Sequence, residues 1–189
     1  MAPRSAEGEG EGALTELGDD DLMLLARGGT SEAFDVLVRR HQAKVLRVAF
    51  RYLGETSLAA DAAQNAFVAI YRGLPQYRAC GKFTAFLYRV LLNQCRMARR
   101  SAATESRVLI ELWSRGEPEP RELPRHEQRR DVEAAVRELS PKLRDVVLLR
   151  FGADLGHDEI AETLDIPVGT AKRRLFVAMA KLRQTLEAT

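Results

Sequence analysis

The sequence predicts an all-α protein, two small helical domains joined by a flexible linker. Three observations carry that reading. Apolar residues recur at helical spacing along most of the 189-residue chain. Strand signals are absent, with no alternating β-branched run and no Asn-Gly hairpin. Glu117-Pro-Glu-Pro-Arg-Glu-Leu-Pro124 excludes a continuous helix across the middle, because proline lacks an amide hydrogen and clashes with the preceding turn. The expected boundaries are a disordered acidic tail over 1–18, a first helical domain over 19–103, a linker over 104–126 and a second helical domain over 127–189.

The elements follow in chain order. Residues 1–21 hold seven acids (Glu7, Glu9, Glu11, Glu16, Asp19, Asp20, Asp21) and one base, Arg4. The Gly/Glu-rich part to about Gly18 reads as a solvated tail, or as an arm shielding the protein's own basic surface. Ser31 is the expected cap of a helix whose apolar positions are Phe34, Leu37, Val38, His41, Val45, Val48, Ala49 and Tyr52, ending at Gly54. His41 on that face is expected to be a hydrogen-bonded core histidine. A second helix, from about Thr56 to Arg72, buries Ala63, Phe67, Ile70 and Leu74. Its other face shows Asp61, Gln64, Asn65, Val68 and Arg72, either merely solvated or a docking surface.

A third helix, about Lys82 to Ala102, brings Lys82, Arg89, Asn93, Arg96 and Arg100 to within about 40° of one line. Phe83, Leu87, Val90, Leu91 and Met97 face a core, and Phe86 sits at the border of the basic stripe. Val108–Trp113 is expected as a short helical patch inside the linker, with Trp113 either locally buried or docking the linker on a domain or a partner. Asp131–Leu139 is amphipathic and stops before Ser140 and Pro141, a cap and a first-turn proline for the next helix. That helix carries Leu143, Val146, Val147 and Leu149. His157–Leu164, a break at Asp165-Ile-Pro167 and a final helix from Val168, with the small Ala161 at the crossing, fit a helix-turn-helix. Val168, Ala171, Leu175, Ala178, Met179, Leu182 and Leu186 form the inward stripe of the last helix.

Charge is sorted along the chain. The net charge is only +2, yet no Asp or Glu occurs from Ala62 through Thr104, a stretch carrying Arg72, Arg78, Lys82, Arg89, Arg96, Arg99 and Arg100. That block predicts a polyanion-binding surface. A cationic stripe beside an aromatic suits single-stranded nucleic acid, with charges tracking phosphates and a ring stacking on an unstacked base. Thr170, Lys172, Arg173 and Arg174 crowd the first turns of the last helix, where a recognition helix meets base edges and phosphates. The preceding helix carries Asp158, Glu159 and Glu162 instead.

Other classes find little support. No run of about 18 uncharged apolar residues is present to span a membrane, and the first residues lack the apolar stretch of a secretory leader. Cys80 and Cys95 have no CxxC spacing and read as free thiols of a reducing cytoplasm. His41, His126 and His157 lie far apart, so no metal or other cofactor is expected. No carboxylate cluster, phosphate loop or nucleophile–base pair points to an enzyme.

Together these pieces resemble a small sigma factor of the extracytoplasmic-function (ECF) group of the sigma-70 family. Asp61-Ala-Ala-Gln-Asn-Ala-Phe67 looks like the region-two segment that binds RNA polymerase core, which implies that role for Asp61, Gln64, Asn65, Phe67, Val68 and Arg72. Phe83-Thr-Ala-Phe-Leu-Tyr-Arg-Val90 looks like the segment that opens and holds the −10 element. With the loop Gln76-Tyr-Arg-Ala-Cys-Gly81, which resembles the part that captures a flipped base, it implies −10 contacts by Tyr77, Arg78, Lys82, Phe86, Arg89, Asn93, Arg96 and Arg100. Leu139–Arg144, Glu159–Ala161 and Pro167–Lys172 look like the region-four helix-turn-helix. This implies −35 contacts by Pro167, Gly169, Thr170, Lys172, Arg173, Arg174 and Phe176. The resemblance further implies docking on the polymerase clamp helices and flap, promoter DNA as ligand, and an anti-sigma factor as partner. Asn65 stands where an acid is common, Phe86 where Trp is frequent, Ala171 where Val is usual and Arg173 where Ser is common.

Two other functions remain open on the residues alone. A stand-alone helix-turn-helix regulator accounts for the C-terminal half but leaves the acid-free block without a task. It would bind paired half-sites as a dimer. An enzyme acting on nucleic acid would show metal-dependent DNA cleavage.

Overall fold

A computed structural model describes residues 12–113 and 127–187, with side chains described outside 104–131. Its helices are α1 (Asp19–Arg27), α2 (Ser31–Leu53), α3 (Thr56–Arg72), α4 (Phe83–Trp113), α5 (Glu127–Glu138), α6 (Pro141–Phe151), α7 (His157–Leu164) and α8 (Val168–Glu187), with a 3₁₀ turn at Leu74–Gln76. No strand occurs among the described residues. No described helix is long and apolar enough to cross a membrane.

Helices α1 to α4 form one bundle around Leu22, Leu37, Val45, Ile70, Leu87 and Leu91, all without solvent exposure. The predicted apolar stripe of α2 is buried apart from the half-buried Val38 and His41. Gly54 ends α2 at φ 81°, in the left-handed region that a side chain rarely adopts, and its amide returns to the Phe50 carbonyl at 2.8 Å. Ser31 is the first helical residue rather than the cap. The cap position is Thr30, without a side-chain bond, and the Ser31 hydroxyl donates to Glu32 at 3.3 Å. Ser140 does occupy the cap position before Pro141, but its backbone carbonyl, not its hydroxyl, receives the Leu143 and Arg144 amides at 2.9 Å.

The basic helix α4 runs on to Trp113 instead of ending near Ala102. Between Ala102 and Trp113 there is no glycine or proline to stop it, so the expected helical patch at 108–113 is the end of this helix, a little under two turns. The side chain of Trp113 and residues 114–126 lie outside the described part. Met97 is also corrected, being 58% exposed on α4 rather than buried.

Residues 1–11 of the expected tail lie outside the described residues, and from residue 12 on the expectation of a disordered tail fails. Residues 12–15 form a helical turn, and Leu14 and Leu17 pack against the core. Two leucines three apart supply an apolar contact that the acidic composition concealed. Arg40 fixes the segment by donating to the Thr15 and Leu17 carbonyls at 2.9 and 3.1 Å.

Asp19 opens α1 and receives Arg40 Nη1 on one carboxylate oxygen at 2.5 Å and meets His41 Nε2 on the other at 2.8 Å. Burial works to raise its pKa, but the bonds and charges of His41 and Arg40 outweigh it and hold the carboxyl below its ordinary 3.8. The folded carboxyl therefore binds its proton less tightly than the unfolded one. Its stabilisation is complete above the ordinary range and is lost as pH falls through the lowered value. Asp19→Asn is expected to lower the unfolding free energy by about 1–2 kcal/mol at neutral pH. The gap to the wild type should close as pH drops below 3.8 in denaturant titrations. A gap that stayed constant with pH would assign the loss to packing alone.

Helices α5 to α8 form the second bundle. The inward stripe of α8 is realised at Ala171, Ala178 and Leu182, with Val168 and Leu175 half-buried. Met179 and Leu186 are 45% and 38% exposed, against expectation. Met179 borders a groove shared with α5 and α6 rather than a closed core.

The two bundles pack on each other, α2 against α5 and α6, and α4 along α7. Gly152 allows the close approach of α6, since an added Cβ would sit 2.5 Å from the Leu148 carbonyl oxygen and 3.1 Å from Val48 of α2.

Candidate nucleic-acid interface

The exposed face of α3 carries Asp61, Gln64, Asn65, Val68 and Arg72, as expected. Across from it, α2 contributes Val38 and Leu46, and the two helices enclose an open, mainly apolar groove of about 660 Å³. Phe67 lies in its floor, Val68 and Tyr71 on one wall, and Gln64 and Arg72 at the rim. Tyr71 is held edge-on to Phe34, with ring centroids 5.1 Å apart. Asp61 and Asn65 do not line this groove. Leu46 and Tyr71, which do, were missed. The signal for Leu46 was a second apolar ridge on α2, Val38 and Leu46 two turns apart, beside the stripe that faces the core.

A second concavity, about 440 Å³, lies between the loop after the 3₁₀ turn and the first turns of α4. Tyr77, Arg78, Cys80, Lys82, Phe86 and Arg89 line it, with Glu162 reaching in from α7. The Tyr77 and Phe86 rings are 5.8 Å apart and tilted by 49°. Tyr77, read as a contact residue, is itself buried, and its hydroxyl donates to Asp20 at 2.9 Å. Burial and that acidic partner push the phenol's pKa up, so it stays protonated. Arg78 and Asn93 are exposed and Phe86 is half-buried.

The basic stripe of α4 is on one side of the helix, as the periodicity requires, but that side faces the second bundle. Lys82 pairs with Glu162 at 2.6 Å. Arg89 donates through Nε to the Thr163 carbonyl at 3.1 Å and through Nη2 to the Glu162 carbonyl at 2.5 Å. These carbonyls end α7, where the helix dipole favours a cation. Arg96 bonds the Asn93 side chain at 2.8 Å and the Asp145 carboxylate at 2.6 Å. Burial raises the Asp145 pKa above the ordinary carboxylate value by more than Arg96 lowers it. Arg100 reaches the Arg96 carbonyl at 3.3 Å.

The turn between α7 and α8 is tight. Asp165 takes a left-handed φ of 53°, and the Ile166 amide returns to the Ala161 carbonyl at 3.0 Å. Ala161 is buried at the crossing. The Pro167 carbonyl receives the Thr170 and Ala171 amides at 2.9 and 3.1 Å. Pro167, Gly169, Lys172 and Arg173 are exposed, Thr170 and Arg174 are half-buried, and Phe176 is 76% exposed. A third groove, unforeseen, is formed by Val132 of α5, Phe151 of α6 and Met179 of α8, with Arg51 of α2 donating to the Phe151 carbonyl at 2.9 Å.

Among the described residues the frame is all-helical, with a helix-turn-helix in one bundle and a cation-rimmed aromatic pocket in the other, features of the class of DNA-binding proteins. The Sigma-70 region 2 family matches residues 37–105 and the Sigma-70, region 4 family matches residues 129–182. The RNA polymerase sigma-H factor of Pseudomonas aeruginosa is 30% identical over 187 residues, covering 92% of this chain and 96% of that protein. The ECF RNA polymerase sigma-E factor of Escherichia coli K12 is 31% identical over 176 residues, 86% of this chain and 91% of that one. Among solved structures, CnrH in complex with the cytosolic domain of CnrY superposes with a TM-score of 0.69 at 26% identity, over 90% of this chain and 97% of that one. The chain belongs to the sigma-70 family, in its extracytoplasmic-function group, and functions in transcription initiation.

Proposed function

We propose that this sigma factor divides promoter recognition between its two bundles and carries no catalytic site of its own. The observation that carries this reading is the pocket walled by Tyr77 and Phe86 and rimmed by Arg78, Lys82 and Arg89. It has room and ring faces for one flipped base, with cations beside it for the flanking phosphates. Asn93, Arg96 and Arg100 extend the basic track along α4. In the other bundle, Thr170, Lys172, Arg173 and Arg174 read the −35 duplex in the major groove, with Pro167, Gly169 and Phe176 flanking them. The groove between α2 and α3 receives the clamp helices of RNA polymerase core, with Gln64, Phe67, Val68 and Arg72 in contact and Asp61 and Asn65 at its margin. The groove at Phe151 and Met179 suits the flap. The chain acts in the cytoplasm, and an anti-sigma factor covers these surfaces when transcription is off.

Run-off transcription with purified core polymerase on a promoter library tests the whole reading, since chain-dependent start sites also define the two elements. Arg173→Ala is expected to weaken binding to a −35 duplex about tenfold, the loss of one good base or phosphate contact. Phe86→Ala should leave that duplex affinity unchanged and reduce open-complex formation about tenfold, read by permanganate reactivity of unpaired thymines. Unchanged strand opening in the Phe86 variant would remove the ring from the mechanism.

A further inference from the structure

The pocket's outer wall is a stretch of chain without regular secondary structure, from Tyr77 to Lys82. Such a segment needs external partners for its amides and carbonyls. Here they come from one face of α1. A single carboxylate oxygen of Asp20 accepts the Tyr77 hydroxyl at 2.9 Å, the Cys80 amide at 2.9 Å and the Gly81 amide at 3.2 Å. Arg27, two helical turns further along α1, donates to the Tyr77 carbonyl at 2.8 Å. Gly81 takes φ +71°, so the loop turns at this tether before entering α4. Tyr77 thus has its backbone and its hydroxyl tied to α1 while its ring stays 5.8 Å from Phe86 inside the pocket.

We propose that Asp20 is a positioning residue for strand capture: by holding Tyr77, Cys80 and Gly81 on one oxygen it fixes the shape of the base pocket and thereby the base preferred there. This rests on reading the pocket as the −10 capture site. Asp20 does not touch DNA. It acts through the loop, because a pocket discriminates bases only when its walls are held in place.

The test uses the full chain bound to core polymerase, and single-stranded oligonucleotides of its own −10 sequence with each of the four bases at the captured position. Wild type is expected to prefer one base by about tenfold or more. Asp20→Ala should bind the preferred oligonucleotide about tenfold more weakly and flatten the preference to about twofold, the effect of losing three neutral-to-charged hydrogen bonds at once. Asp20→Asn keeps an acceptor oxygen and should restore most of the preference. Affinity for the −35 duplex and for core polymerase should not change. Tyr77→Phe removes a single hydroxyl and carries the test should Asp20→Ala fail to fold; it is expected to lose about half of the discrimination. Full wild-type base preference in Asp20→Ala, or in Tyr77→Phe should Asp20→Ala fail to fold, overturns the role of Asp20 whatever the overall affinity. Absence of any preference in the wild type would instead strike the pocket reading itself, as would an inert Phe86→Ala.

Discussion

Arg144→Ala is expected to destabilise the protein by about 3–5 kcal/mol, from buried carbonyls that lose a charged donor and from the cavity left behind. Arg144 is 2% exposed. Its Nε donates to the Val136 carbonyl at 3.2 Å, and Nη2 donates to the carbonyls of Leu139, at 2.8 Å, and Arg137. These carbonyls lie at the end of α5, where intrahelical partners run out, and of the three the Val136 carbonyl also receives the Leu139 amide at 3.3 Å. The guanidinium also lies over the Tyr52 ring of the first bundle, 5.3 Å from its centre. Truncation removes the Arg144 donor from the Arg137 and Leu139 carbonyls, leaves the Val136 carbonyl with the Leu139 amide alone, and opens a cavity at the junction of the bundles. Arg144→Met separates the two contributions, because it keeps the volume and loses every bond. Urea unfolding should place it close to the alanine variant, and wild-type stability in Arg144→Met would show that packing alone holds the site.

The second large effect is on association with core polymerase. Leu46 and Val68 are 43% and 36% exposed on opposite walls of the apolar groove. Groove sites that take a helix place most of their binding energy in a few desolvated apolar contacts. Leu46→Asp or Val68→Asp buries an unpaired carboxylate there and should weaken core binding by at least about 2 kcal/mol, roughly thirtyfold. Both side chains are open to solvent in the free chain, so circular dichroism and melting temperature should barely move. A loss of affinity below about threefold for both variants would place the clamp contact elsewhere.

Most of the fold was legible because it is local. Helical periodicity placed α2, α3 and α6 to α8 and put the basic stripe on one line of α4, and the acid-free block marked that stripe as a surface for polyanions. What escaped the sequence was set by contacts between residues far apart in the chain. Asp19 and Asp20 look like the end of an acidic tail until Arg40, His41 and the Tyr77–Gly81 loop are brought to them. Tyr77 reads as an exposed aromatic near bases, yet its hydroxyl is spent on Asp20. Met179 fits the α8 stripe by spacing, but it lies in the open groove with Val132 and Phe151 and stays 45% exposed. The extension of α4 to Trp113 was hidden because the prolines that end the helical pattern lie further on, at 118–124.

The cations of α4 have one set of donors and two uses. Arg89 is held by the end of α7, Lys82 by Glu162 and Arg96 by Asp145, so under the proposed function a melted strand displaces the second bundle to reach them. Strand binding and bundle separation are therefore linked equilibria. The apparent affinity of the free chain for a −10 strand equals the intrinsic affinity multiplied by the fraction of molecules already open. Whatever keeps the bundles apart strengthens strand binding by the same factor without touching the strand.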